Sequence, residues 1–450
     1  MKKFFGLVFL LLFFSFQKAY CGDLSWQTHV FPDGFTLITD VVPYYPVAAV
    51  HLFVRVGSVD ENPQINGISH LYEHMFFKGT PTRDATEMKT YIEDYGGEIN
   101  GSTYRDYTEF MVDIPSIYTN HAIDYLMDAF LHASLDPKAL EDERKVVLDE
   151  VSLDAANPER QLSETFQEEI YRVNPYRMPI EGNETTVKNI TDQDLIYWKK
   201  TYYVPSNAVL VVVGDIDPNA VVQQVGKILQ NVNPPHYNLP IFPKEPEKTK
   251  PVIVQEVKPV NQAYLLLGYL VAGLDTPENI YPLDVMTFML GYGRDSLLNR
   301  ELKEKKKLVD AINADFLTEP YPGTLQIEAV CSPQNVDSVK ASILEILDRL
   351  KKGEITPQEL QRSKTLLSAV YNLGNETDSG KADTIGFYAI AGNAEFCRHY
   401  LANIRKVTIQ DIERVANLYF KDNYVEVVYL PEKPPKTPEG KPSSKESALR

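Results

Sequence analysis

Apolar and polar residues alternate from Tyr107 to Ile114, the period of a strand with one buried face. The run Ala48 to Val56 also reads as a strand, and Pro32-Asp33-Gly34 reads as a hairpin turn between Thr28–Phe31 and Phe35–Thr39. Helical spacing takes over from Ile68, where Ile68, Leu71, Met75 and Phe76 share one face. A further helix is expected near Thr86 to Tyr95, closed by Gly96-Gly97. Thirteen mostly apolar residues, Phe4 to Phe16, follow Met1-Lys2-Lys3, too few to span a bilayer as a helix. With Ala19 and Cys21 at the −3 and −1 positions of a cleavage site, residues 1–21 read as a secretory signal peptide. The mature chain is therefore expected to be exported without a stable membrane anchor, in a bacterium to the periplasm.

A repeat sets the domain organisation. Thr191-Asp192-Gln193-Asp194-Leu195-Ile196 leads through Tyr202-Tyr203 into the apolar run Ala208–Val213, and Thr408-Ile409-Gln410-Asp411-Ile412 leads through Tyr419-Phe420 into Val425–Tyr429. The matched positions are 217 apart. Each copy reads as a Thr cap, a helix and a strand. A weaker echo pairs Ala48–Val54 with Ala263–Tyr269. Two similar α+β halves are expected, at 23–230 and 252–430, joined by a Pro-rich linker at 231–251. The tail 431–450, rich in Pro, Lys, Ser and Glu, is expected to be disordered.

Composition narrows the function classes. With 44% hydrophobic and 24% charged residues the chain has the make-up of an ordinary globular protein. A net charge of −17 argues against a nucleic-acid surface. Beyond the signal peptide only Cys331 and Cys397 remain, enough for one bridge but not for a disulfide framework or a cysteine metal site.

The chemistry lies in Gly67-Ile68-Ser69-His70-Leu71-Tyr72-Glu73-His74-Met75-Phe76-Phe77-Lys78-Gly79-Thr80. His70, Glu73 and His74 stand at i, i+3 and i+4, so two imidazoles and a carboxylate share a helix face. Two neutral imidazoles so placed can bind one zinc ion, and Glu73 can then take a proton from a water on the metal. Taken alone, the same pattern also fits an amphipathic helix with histidines at its edge. A catalytic zinc usually has a third protein ligand. Glu143 and Glu150 lie two helical turns apart in 141–151, with Val146 and Val147 between them.

With these residues the sequence resembles the M16 (pitrilysin or insulinase type, inverzincin) metallopeptidases. In that family a Glu at about this distance completes the zinc site, and here Glu150 follows His70 by 80 positions. The resemblance implies His70, His74 and Glu150 as ligands of one zinc per chain, and Glu73 as catalytic. Glu143 is carried over as the supporting acid of the catalytic group. It also implies two homologous α/β-sandwich halves of mixed, mainly antiparallel sheet. Gly96-Gly97-Glu98-Ile99-Asn100-Gly101-Ser102-Thr103 matches a family pattern, with Gly101 in place of Ala. There an edge strand binds peptide substrate as an added strand, which implies a substrate-binding role for Asn100, Gly101, Ser102 and Thr103.

The second half departs from the pattern. Where the family carries an Arg and a Tyr seven apart, Leu302-Lys303-Glu304-Lys305-Lys306-Lys307-Leu308-Val309-Asp310 places Lys303 and Asp310. Lysine lacks the guanidinium fork, and an ionised Asp would repel an oxyanion. Half-length members pair into clam-shells, some as heterodimers with zinc on one subunit and Arg and Tyr on the other. The expectation is a zinc endopeptidase acting on peptides or unfolded polypeptides, as the zinc subunit of a heterodimer, with a homodimer as the alternative. A non-catalytic peptide-binding or assembly subunit on the same fold is the rival.

Overall fold

The structure is a computed structural model and describes residues 26–230, 232, 237 and 242–432. The expected signal peptide, part of the expected linker and the tail from 433 onward lie outside the described residues. Eleven strands are found among the described residues. They are β1 (Gln27–Val30), β2 (Thr36–Val41), β3 (Val47–Val54), β4 (Glu98–Thr103), β5 (Thr108–Pro115), β6 (Ala208–Gly214), β7 (Val252–Lys258), β8 (Ala263–Leu270), β9 (Val309–Leu317), β10 (Thr324–Cys331) and β11 (Val425–Pro431). One sheet has the order β1-β2-β6-β3-β5-β4 and the other β7-β11-β8-β10-β9. Without β1 the two orders correspond strand for strand. Only β2–β6 and β7–β11 pair in parallel, so the fold is two homologous α+β halves, each a mixed, mainly antiparallel sheet with helices packed on it.

The hairpin forms around Gly34, which adopts φ +89°. The helix expected near 86–95 is instead split. Asp84 caps Ala85–Thr90 by accepting from the Thr86 and Glu87 amides, and a 3-10 turn, Glu93–Tyr95, follows and ends at Gly96 with φ +74°.

The repeat appears as two helices, Asp192–Tyr202 and Ile409–Tyr419. Thr191 and Thr408 each accept at 3.2 Å from the backbone amide of the Asp three positions on. The strands that follow do not keep the same register. Leu210 and Val212 of β6 face the core that contains the 68–76 helix. Their counterparts at a spacing of 217, Val427 and Tyr429, face the opposite side of their sheet. A one-residue slip exchanges every face of a strand. The first copy enters its strand through a 3-10 turn, Pro205–Asn207, whose Asn207 side chain donates to the Arg55 and Tyr202 carbonyls, and the second has no such turn.

Each half lends a helix to the other. The Pro158–Ile170 helix of the first half covers the outer face of the second sheet, where Leu162, Phe166 and Ile170 pack on Leu266, Val425 and Val427. The Asp378–Ile390 helix of the second half covers the first sheet, with Ala382, Ile385 and Ile390 against Ala49, Phe53 and Val211. Polar groups cross the same seam. Arg55 Nε donates to the Ile390 carbonyl at 2.6 Å, and the Tyr171 hydroxyl donates to the Pro322 carbonyl at 2.8 Å. His51 Nδ1 on β3 lies 3.2 Å from Glu109 Oε1 and 2.8 Å from Asp383 Oδ1, so a buried imidazole links the sheet to a half-exposed carboxylate of the crossing helix.

Cys331 and Cys397 are free and buried, so the bridge that the sequence allows is not formed. Burial pushes the two thiols up to about 11 and about 12, which keeps them protonated at neutral pH. No helix among the described residues is long and apolar enough to cross a membrane.

Candidate metal centre

The helix Ile68–Phe76 buries Ile68, Leu71, Tyr72, Met75 and Phe76 in the first core and turns His70, Glu73 and His74 away from it. Against it packs a twenty-residue helix, Pro137–Ala156, started by Asp136, whose side chain accepts from the Ala139 amide. Of the two valines between Glu143 and Glu150, Val147 is buried and Val146 is exposed. Arg144, buried on the same helix, donates to the Val187 carbonyl and, at 2.8 Å, to the Ile190 carbonyl, which fixes the helix against the following segment.

The two helices bring together three potential ligands. Glu150 Oε2 lies 3.6 Å from His70 Nε2 and 3.6 Å from His74 Nε2. These three atoms lie within 4.8 Å of one another. Bonds of roughly 2.0–2.2 Å to a shared ion would place tetrahedral ligands about 3.4 Å apart, so the spacing fits a divalent metal. The donor chemistry fits as well, since two imidazoles and one carboxylate leave a position for water. Burial and the neighbouring His74 lower the His70 imidazole to about 4, so at neutral pH it is uncharged, the form that ligates.

The surrounding groups fall into different roles. His74 Nδ1 faces Glu143 Oε2 at 3.1 Å, and Lys78 Nζ holds the other Glu143 oxygen at 2.7 Å. Donating from Nδ1 leaves the Nε2 lone pair of His74 for the metal. Glu143 therefore lies behind His74 and holds the orientation of its ring. His70 Nδ1 is buried with no hydrogen-bond partner among the described residues, so the two imidazoles are not held equivalently.

Glu73 points toward β4. Its Oε2 accepts from the Thr103 hydroxyl at 2.8 Å, and a Cβ on Gly101 would lie 2.8 Å from its Oε1. Burial raises the Glu73 carboxyl above its usual range, opposed by the Thr103 bond and by His74. Gly101 and Thr103 thus lie against the Glu73 carboxylate from one face of β4. The side chains of Asn100 and Ser102 alternate to the other face, and Asn100 Oδ1 accepts from the Gly101 amide. β4 is the last strand of its sheet, and among the described residues no strand pairs with its outer edge.

Two contributors escape a reading of the motif alone. Lys78 follows His74 by four positions, just past the helix end at Phe76, and that spacing is the signal that could have flagged it. Glu61 is less obvious. It lies outside the motif and is buried, and it reaches the start of the helix to accept from the Gly67 amide at 2.7 Å and the Ser69 amide at 2.8 Å. In the second half, Lys303 and Asp310 are both exposed, Lys303 on a π-helical turn Asn299–Lys305 and Asp310 on β9, where it accepts from Gln262.

Comparison with known proteins gives a consistent set of similarities. The family model described as insulinase (peptidase family M16) matches residues 37–184, and that described as the peptidase M16 inactive domain matches 189–367. The uncharacterized zinc protease YmxG of Bacillus subtilis is 26% identical over 401 residues, covering 89% of this chain and 97% of that protein. The zinc protease PqqE of Helicobacter pylori is 27% identical over 391 residues, covering 85% and 87%. Among solved structures, a protease from Helicobacter pylori aligns with a TM-score of 0.85 at 25% identity, covering 90% of this chain and 99% of its own. A peptidase M16 inactive domain from Pseudomonas fluorescens shares the fold with a TM-score of 0.83 at 18% identity, over 92% of this chain and 100% of its own.

Proposed function

The chain belongs to the insulinase-type M16 peptidase family, and from that premise we propose that it is a zinc-dependent endopeptidase for extended peptides or unfolded polypeptides. The observation that carries this reading is the convergence of His70 Nε2, His74 Nε2 and Glu150 Oε2 beside Glu73. His70, His74 and Glu150 would hold the ion. Zinc bound there supplies a water of lowered pKa and polarises a peptide carbonyl.

This chain's own residues do the rest. The free edge of β4 pairs with the backbone of an extended peptide, which holds it with little demand on its sequence. Glu73 takes a proton from the attacking water and passes it to the leaving amine. Thr103 keeps the Glu73 carboxylate aimed at the site, and Glu143 with Lys78 keeps His74 aimed at the ion. Thr103→Val, nearly isosteric, removes the hydrogen bond and should lower kcat about 10-fold at unchanged zinc content. That is the scale of a hydrogen bond to a charged group, and it is checked by steady-state kinetics with metal analysis.

Lys303 and Asp310 make the chain one member of a pair. Neither side chain can donate the fork of hydrogen bonds that Arg supplies or the neutral hydroxyl that Tyr supplies to a developing oxyanion. We therefore assign to this chain the zinc-bearing place in a two-subunit clam-shell, with Arg and Tyr provided by a second M16-like subunit. The test is cleavage of a mixture of unstructured peptides by the purified chain alone, with and without a zinc chelator, followed by addition of the candidate partner. The expected result is one zinc per chain, weak cleavage alone, and a large chelator-sensitive increase with the partner. Full activity alone would replace the heterodimer with a homodimer. Bound zinc with no cleavage under any pairing would favour a peptide-binding subunit.

A further inference from the structure

The helix that carries both histidines begins without a cap of its own. Its N-cap is Gly67, which has no side chain to accept the first amides and holds φ +96°. No other residue fits there, because a Cβ at Gly67 would also lie 2.6 Å from the Glu181 carbonyl oxygen. The amides of the first turn still need acceptors, because helix N-termini leave their first N–H groups unpaired.

The Ile65 carbonyl accepts from the Ile68 amide at 3.0 Å, and one side chain outside the helix takes the amides on either side of it. Glu61 Oε2 accepts from the Gly67 amide at 2.7 Å and from Asn66 Nδ2 at 2.7 Å, and Glu61 Oε1 accepts from the Ser69 amide at 2.8 Å. Asn66 Nδ2 also donates to the Pro179 carbonyl at 2.8 Å, which ties the same point to the 179–182 segment. Glu61 is 5% exposed, so these bonds are shielded from competing water. Burial pushes the Glu61 carboxyl up to about 7, opposed by the Ser69 and Gly67 amides, and the positive end of the helix dipole favours its ionised form. Ser69, one of the two amides it holds, directly precedes His70.

We propose that Glu61 is a positioning residue for the metal centre, fixing the first turn of the 68–76 helix so that His70 meets His74 and Glu150 at ligating distance. The role rests on the reading of those three residues as zinc ligands. His70 depends on it more than His74 does. His74 is held through its own Nδ1 by Glu143, whereas His70 Nδ1 has no partner among the described residues, so the backbone of the first turn carries the burden of aiming it.

Glu61→Gln keeps the size of the side chain but replaces one acceptor with an amide that confronts a backbone N–H. Zinc affinity, measured by competition with a chromogenic chelator, should fall about 10- to 100-fold, the range for groups one step behind a ligand. Val225→Ala is the control. Val225 is fully buried in the same core, on the helix Pro218–Leu229. It should lower the melting temperature while leaving zinc affinity at the wild-type value. Amide hydrogen exchange at residues 69–71 of the metal-free protein gives a reading independent of zinc, and it should be faster in Glu61→Gln and unchanged in Val225→Ala. Wild-type zinc affinity together with wild-type exchange in Glu61→Gln would overturn the proposal, as would an equal loss of affinity in the control. If wild type binds no zinc, the ligand assignment fails instead, and the exchange measurement still decides whether Glu61 fixes the turn.

Discussion

Glu73→Gln is expected to retain one zinc per chain and to lose cleavage by about 10²- to 10⁴-fold, the range for removal of a positioned proton acceptor. The substitution is conservative in every respect but one. A glutamine can still accept from the Thr103 hydroxyl, and it fills the space that Gly101 leaves beside the carboxylate. Glu73 is not among the three atoms that converge as ligands, so the metal should stay. What disappears is basicity. Burial raises the Glu73 carboxyl above its usual range, which makes it a better proton acceptor than an exposed Glu would be. Single-turnover cleavage of an unstructured fluorogenic peptide, with zinc measured on the same sample, reads both quantities. Cleavage at the wild-type rate would remove Glu73 from the mechanism, and loss of zinc would mean that it serves the ligand set instead.

The parts of this centre that could be read from the chain are those fixed by helical periodicity. His70, Glu73 and His74 fall on one face because of their spacing, and Glu143 and Glu150 fall on one face for the same reason. The pattern could not say that Glu143 stops behind His74 while Glu150 reaches both imidazoles, since that depends on where two helices cross. Nor could it find Glu61, whose role arises from a missing side chain at Gly67 and a contact that no local pattern encodes. The strand Glu98–Thr103 was expected from the family resemblance and not from its own pattern, and strand alternation divides its residues, with Gly101 and Thr103 against Glu73 and Asn100 and Ser102 on the other face.

The fold shows the same division. Threonine caps and apolar runs gave away both copies of the repeat, because capping and strand patterning are local. The exchanged faces of β6 and β11 were hidden, since β6 is apolar at every position and β11 at all but Glu426, so neither run alternates in a way that shows which residues point inward. The exchange of helices between halves was hidden too. It is a consequence of tertiary packing, and it bears on the site because Asn157 ends the Glu150 helix and caps the crossing Pro158–Ile170 helix.

That exchange makes a second strong prediction. On the first sheet Phe53 packs against Gly386 of the crossing helix, where a Cβ would overlap the Phe53 ring. On the second sheet the arrangement is reversed, with Gly268 on the strand and Phe166 on the helix, and a Cβ on Gly268 would lie 2.5 Å from Phe166 Cζ. Phe53 and Gly268 are matched positions of the echo between β3 and β8, and Phe166 and Gly386 are each the ninth residue of their thirteen-residue helices. The duplicated fold thus fills each seam with one phenylalanine and one glycine, placed on opposite partners. Phe53→Ala should cost about 3–5 kcal/mol, the usual range for emptying a buried aromatic site. Gly386→Ala should destabilise as well, by about 1–3 kcal/mol, because overpacking outweighs the helix propensity gained over glycine. Combined, the two should cost less than their sum by at least about 1 kcal/mol, since the smaller side chain at 53 makes room for the larger one at 386. Urea denaturation of the wild type, both single variants and the double variant measures the coupling. A sum without coupling would mean that the helix shifts to absorb each change, and the seam would then be a looser joint than the matched Phe–Gly pairs imply.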